Sequence, residues 1–358
     1  MDVERLTNQV RRNCDISDAR HAGLYSICGL ALRLRDLYKW TRRLLPWQED
    51  EAGLVLEWIG NKEDQWESMA EEDFGPLSIG SHTFDPFDTE AVNAALAPHG
   101  LFYGAGYAYS LKPTFFLAVV IDRECVHGKV VWQLGRELAR DLLTLPAFSQ
   151  DDQVVLRTEA ARMFVWDQMI YVRSAGRPAL AFALNECCAL SDINPDSLRP
   201  HLDTIMAVQR HAYIRHELGE IAEEIFDRDI WRQMLSDFPH TPVELLIRTL
   251  KDALADTGPD GPLRYFIEQR SRAGLGFYMA FGSGLTPLLF GPLKTAFDAF
   301  MHYPDWDAMT QAVDDAHRSA ATYTREIIDL YAAASQGKGL PWAQAAIEKT
   351  LQTRGILR

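Results

Sequence analysis

With 358 residues, 47% of them hydrophobic and 24% charged, the chain has apolar material for a true core and length for two domains or one domain with a large insertion. Its formal net charge of −14 offers no basic surface to neutralise phosphates, so nucleic acid is not an expected partner. Five cysteines, an odd number with no CxxC pair, argue against a disulfide framework or a cysteine zinc site.

The start, MDVERLTNQVRRNCD, is polar and lacks the apolar core of a secretory signal, which makes the cytoplasm the expected compartment. Residues 1 to 45 read as helical. Ser17 or Asp18 is placed to cap a helix from about Arg20 to Arg43, with Leu24, Ile27, Ala31, Leu34 and Tyr38 on one stripe. A second helix is predicted over Ala52 to Ala70, followed by the loop PLSIGSHTFDPFD. There His82, Asp85 and Asp88 lie close enough for a metal cluster, although Asp before Pro86 and before Thr89 also reads as turn and helix-start chemistry.

Short apolar runs at Leu101 to Tyr109, Thr114 to Asp122 and Val126 to Leu134 are separated by hairpin-length gaps. They predict a small antiparallel β-meander near residues 101–134. Gly104 and Gly106 sit in GAGYAYS, which is neither GxGxxG nor a P-loop, so no nucleotide-binding motif is found. After Gly135 the pattern reads as helix over Arg136 to Leu145, and again over Asp151 to Ser174. On a helix, Arg136 with Arg140 and Glu137 with Asp141 are like-charged i, i+4 pairs. Compensation is expected from Arg157, Glu159, Arg162 and Asp167 as an ion network between helices, a polar active-site wall being the second account.

From His201 to about Asp227 the spacing of Leu202, Ile205, Met206, Ile214, Leu218, Ile221 and Ile225 predicts an amphipathic helix. Its segment RHAYIRHELGEIAEE carries His216 and Glu220 at i, i+4, the spacing by which one helix face presents two metal ligands. Glu217 lies one position off that line. A zincin would need HExxH, but Glu220 stands where the second histidine belongs, and the paired ExxH of di-iron bundles is missing from this helix. Downstream, His240 to Glu244 repeats the HxxxE spacing, yet Thr241-Pro242-Val243-Glu244 is also a capping box with proline at the first helical position.

The remaining helices are predicted over 243–256, 262–272, 293–301, 306–334 and 341–352, with Asp256 to Gly261 as a polar connector. Ala273 to Leu293 has no charged residue but is broken by five glycines and two prolines. It reads as two short buried pieces joined at Gly282 to Gly284, and an integral membrane span is not expected.

The expected fold is mainly α (α+β): a helical segment over 1–75, loop and small sheet over 76–135, and a helical domain over 136–358. The expected function is a cytoplasmic metal-dependent enzyme, hydrolytic or oxidative, acting on a small molecule. His216, Glu220 and His240 are the candidate ligands of a divalent metal (Fe, Mn or Zn), and Glu217 is the catalytic base or a further ligand. The alternative is a non-catalytic helical assembly or protein-interaction factor, in which the same polar helix face is a recognition surface.

Overall fold

A computed structural model describes residues 1–150, 152–282, 285 and 289–356. The chain forms two compact units, Met1–Asp167 and Gln168–Arg358. It is mainly α, with its principal sheet where the sequence places one.

In the first unit, α1 (Val3–His21) starts where the Asp2 carboxylate accepts the Arg5 N–H at 2.9 Å. The predicted cap at Ser17 or Asp18 is not there. Both are buried inside α1, where Asp18 accepts the Leu142 N–H at 3.0 Å. The chain breaks instead at a 3₁₀ turn, Ala22–Leu24, and Ser26 caps α2 (Ile27–Arg42). Ile27, predicted on the apolar stripe, is 89% exposed. Next come α3 (Ala52–Glu67), the hairpin of β1 (Leu77–Ile79) and β2 (His82–Phe84), and α4 (Thr89–Leu96). Asp85 accepts the Phe87 N–H and Asp88 caps α4, so the turn reading of this loop holds.

The main sheet contains β3 (Leu101–Tyr107), β4 (Pro113–Val126), β5 (Lys129–Arg140), β6 (Ala147–Gln150) and β7 (Gln153–Arg157), in the order β3-β4-β5-β7-β6. All neighbours are antiparallel except β5 and β7, which run parallel with Val131 opposite Val154. Leu6, Val10 and Cys14 of α1 pack on Tyr103, Phe115 and Leu117 to form the core on one face. Phe102, Phe116, Leu134 and Val155 form another cluster.

The predicted helix over Arg136 to Leu145 is thus the end of a strand, and residues 136–157, grouped by the sequence with the helical part, complete this sheet. Partners distant in sequence decide it. Buried Glu137 pairs with Arg157 on β7 at 2.6 Å and accepts a longer contact from Arg140, at 3.7 Å. In a strand, residues four apart are not neighbours as they are on a helix, so the like-charge repulsion that troubled the helix reading disappears. Arg157 does compensate Glu137 as expected, but from a strand; Glu159, at the start of α5 (Thr158–Ile170), accepts only the Glu137 backbone N–H and adds a like charge beside it.

Among the described residues the second unit has helices and no strand: α6 (Arg177–Cys188), α7 (Pro195–Leu198), α8 (Leu202–Ala222), α9 (Arg228–Asp237), α10 (Pro242–Thr257), α11 (Pro262–Glu268), α12 (Arg272–Phe281), α13 (Gly291–Phe300), α14 (Trp306–Ala333) and α15 (Leu340–Thr353). α10 is the central element, packed against both α8 and α14. Of the predicted joint at Gly282 to Gly284, Ser283 and Gly284 lie outside the described residues. No helix among the described residues is long and apolar enough to cross a membrane.

Candidate metal centre

α8 buries Leu202, Ile205, Met206, Ile214 and Leu218. That stripe fixes the helix rotation and sets His216 and Glu220 one turn apart, half-buried, with Glu217 buried beside them. α10 begins at the predicted cap: the Thr241 hydroxyl accepts the Glu244 N–H at 3.3 Å, and Glu244 Oε2 reaches one residue past the N-cap to accept the His240 N–H at 2.9 Å, a variant of the predicted capping box. Glu244 is further engaged by Arg248 at 3.0 Å. The His240 side chain is exposed, and among the described residues it belongs to no ligand cluster.

The two helices meet at Gly219. A Cβ built there would stand 2.4 Å from the carbonyl oxygen of Ala255, well inside contact distance, so only glycine permits this approach. The residues flanking the contact are those that carry the chemistry. His216, Glu217 and Glu220 surround Gly219, and Asp252 and Asp256 bracket Ala255.

Asp256 Oδ1 lies 2.7 Å from His216 Nδ1, and the Tyr278 hydroxyl of α12 donates to Asp256 Oδ2 at 2.7 Å. The other ring nitrogen, Nε2, is turned to Glu220, 3.9 Å from its Oε1. One ligand-type atom from each of His216, Glu220 and Asp252 lies within 4.8 Å of the other two. Imidazole and two carboxylates converging in this way form a donor set for Mn²⁺, Fe²⁺ or Zn²⁺. An aspartate holding the distal ring nitrogen is the outer-shell arrangement that fixes tautomer and orientation in histidine metal ligands.

The metal-free electrostatics follow from four carboxylates around one imidazole. Burial alone would lower the His216 pKa, but the charge and hydrogen bond of Asp256, with Glu220 and Glu217, carry it well above its ordinary value. Burial, then the charge of Glu220, pushes Glu217 up to about 8. Asp252 rises to about 7, again through burial, with Glu220 and Asp256 adding to it against the opposing charge of His216. Such a site holds protons that a cation would replace.

The sequence pair His216 and Glu220 is brought together with two aspartates that sequence reasoning missed. Asp256 stands where the predicted helix 243–256 meets the predicted connector, and the fold buries it in the last turn of α10. The signal available was Asp252 and Asp256 at i, i+4, the same spacing used to single out α8, on a helix otherwise rich in leucine. Tyr278 gave no such signal.

No curated protein and no solved structure matches the chain. The N-terminal domain of a family of unknown function, DUF6866, matches residues 5–157, and the C-terminal domain of the same family matches residues 162–352. The gap between the two matches falls at the start of α5, near the division of the compact units, and the candidate centre lies wholly within the C-terminal match. The two halves together account for nearly the full length, and the chain belongs to the DUF6866 family.

Proposed function

We propose that this protein is a metal-dependent enzyme whose centre is held by His216 Nε2, Glu220 and Asp252, with Asp256 positioning the imidazole through Nδ1. The observation that carries the reading is the convergence of three ligand-type atoms within 4.8 Å on an imidazole whose other nitrogen is already engaged. Asp252 takes the third ligand position for which the sequence offered Glu217 or His240. Three protein ligands leave positions for water and a small-molecule substrate, as catalytic centres do and closed structural ones do not. A bound divalent ion would supply a Lewis acid or an activated water for hydrolytic or oxidative chemistry. Glu217, buried next to the ligands, is the acid–base group: it would release its proton as the cation binds and accept one from water afterwards.

A second reading is favoured by the raised His216 pKa. There, an imidazolium pinned between Asp256 and Glu220 clamps α8 to α10, and the protein is a non-catalytic assembly or interaction factor. Elemental analysis of protein purified without chelator separates the two. About one Mn, Fe or Zn per chain, lost in both His216→Ala and Asp252→Asn, supports the enzyme. Absence of stoichiometric metal, or metal indifferent to both substitutions, leaves only the clamp.

A further inference from the structure

A second site lies in the first unit, and nothing in the metal reading uses it. A cavity of about 780 Å³ opens among α1, α2, α3, β5 and α5, within the size range of small-molecule pockets. Its wall contains six cationic side chains, Arg11, Arg43, Lys62, Arg136, Arg140 and Arg162, against three carboxylates, Asp15, Glu137 and Glu159. In a chain of net charge −14 this local excess of positive charge runs against the composition.

The three carboxylates are already engaged. Asp15 pairs with Lys62 at 2.5 Å and accepts the Trp66 indole N–H at 3.3 Å. Glu137 is held by Arg157, and Glu159 accepts the Glu137 backbone N–H at 3.1 Å. By contrast, Arg11 donates to a neutral carbonyl, that of Leu138, at 3.0 Å; among the described residues Arg11 and Arg43 form no ion pair, and Arg136 acts on Glu159 through its charge without a close contact. A net excess of cations over carboxylates on the walls of a cleft concentrates anions there. The wall also carries Trp40 and Trp58. The guanidinium groups of Arg11 and Arg140 lie over the Trp40 ring, at 5.7 and 5.9 Å from its centroid, so charge and flat apolar surface adjoin.

We infer that this cavity binds a small organic anion, a carboxylate or phosphate attached to a flat ring, with the arginines receiving the anionic group and the tryptophans the ring. Arginine matches both anions through its planar fork of donors, and an indole offers the ring a stacking or edge partner.

Calorimetric titration of the full chain with phenyl phosphate, benzoate, inorganic phosphate and benzylamine tests this. Phenyl phosphate or benzoate is expected to bind one per chain with Kd below about 1 mM. That affinity should be at least tenfold tighter than for inorganic phosphate, with no heat from benzylamine; the stronger of the two ring anions identifies the anionic group. Arg136→Glu, at an exposed position, should weaken binding at least tenfold without moving the thermal midpoint, and Trp40→Leu should remove the preference for the ring. Failure of both ring-bearing anions to bind, equal binding of benzylamine, or binding unaltered in Arg136→Glu would overturn the assignment.

Discussion

Gly219 of α8 rests against the Ala255 carbonyl of α10, closer than any Cβ would permit. This contact sets the distance between the His216–Glu220 pair and the Asp252–Asp256 pair. Gly219→Ala must either push the helices apart or distort the turn, at a cost of about 1–3 kcal/mol. Chemical denaturation is expected to register that loss, and divalent-metal titration of the folded variant should show weaker binding, because the two halves of the donor set separate. Normal metal affinity in a destabilised Gly219→Ala protein would mean that this contact does not control the site.

Asp256 touches the imidazole and not the proposed ion. Asp256→Asn keeps size and one acceptor but removes the charge beside Nδ1, so metal affinity should fall roughly 10–100-fold, the range seen for outer-shell partners. Titration with Mn²⁺ or Zn²⁺ checks this. Tyr278→Phe, which frees Asp256 Oδ2, should give a smaller loss in the same direction.

His240 provides the opposite expectation. Its backbone N–H serves the cap of α10 and its side chain is exposed, so His240→Ala should leave metal content unchanged. Glu244→Ala removes the carboxylate that closes the capping box and holds Arg248. It should cost on the order of 1–2 kcal/mol of stability in thermal or urea unfolding.

The pH dependence has a definite sign. Glu217 and Asp252, ordinarily titrating at 4.5 and 3.8, keep their protons to about 8 and about 7 in the folded protein. Between those limits the folded state binds more protons than the unfolded one, so stability falls as pH rises. His216 acts in the same direction: its contribution is complete below its ordinary value of 6.5 and is lost as pH climbs through its raised folded value. The unfolding temperature of metal-free protein should therefore decrease between about pH 6 and pH 9. A bound cation requires the deprotonated ligands, so the rise in unfolding temperature on adding metal should grow over the same interval. Scanning calorimetry with and without metal reads both slopes.

In the first unit, Lys112 lies buried between Asp18 and Asp141, at 3.0 and 3.1 Å. Burial opposes its charge, but the two carboxylates outweigh burial and raise its pKa, while Asp18 is held up at about 7. Lys112→Met leaves two buried carboxylates without their cation and should cost about 3–5 kcal/mol. Adding Asp18→Asn and Asp141→Asn, whose amide oxygens still accept the Leu142 and Leu143 N–H groups, should recover most of that loss in urea unfolding.

The sequence by itself determined what depends on neighbours along the chain. The apolar period of α8, the capping box of α10, the Asp88 cap and the strand run from Leu101 are all local, and each stands where the residues place it. So does the i, i+4 pairing of His216 with Glu220, which follows from helical pitch alone. Tertiary structure decided the rest. Residues 136–140 carry charges that a helix would hold only with outside compensation, and it was pairing with β4 and burial against Arg157, both distant in sequence, that made them a strand. Asp252 and Asp256 are 32 and 40 residues from the helical partners they meet, Glu220 and His216, and no period links them. What joins them is a backbone contact at Gly219, where the absence of a side chain, the weakest of sequence signals, lets two helices approach closely enough to bring four carboxylates around one imidazole.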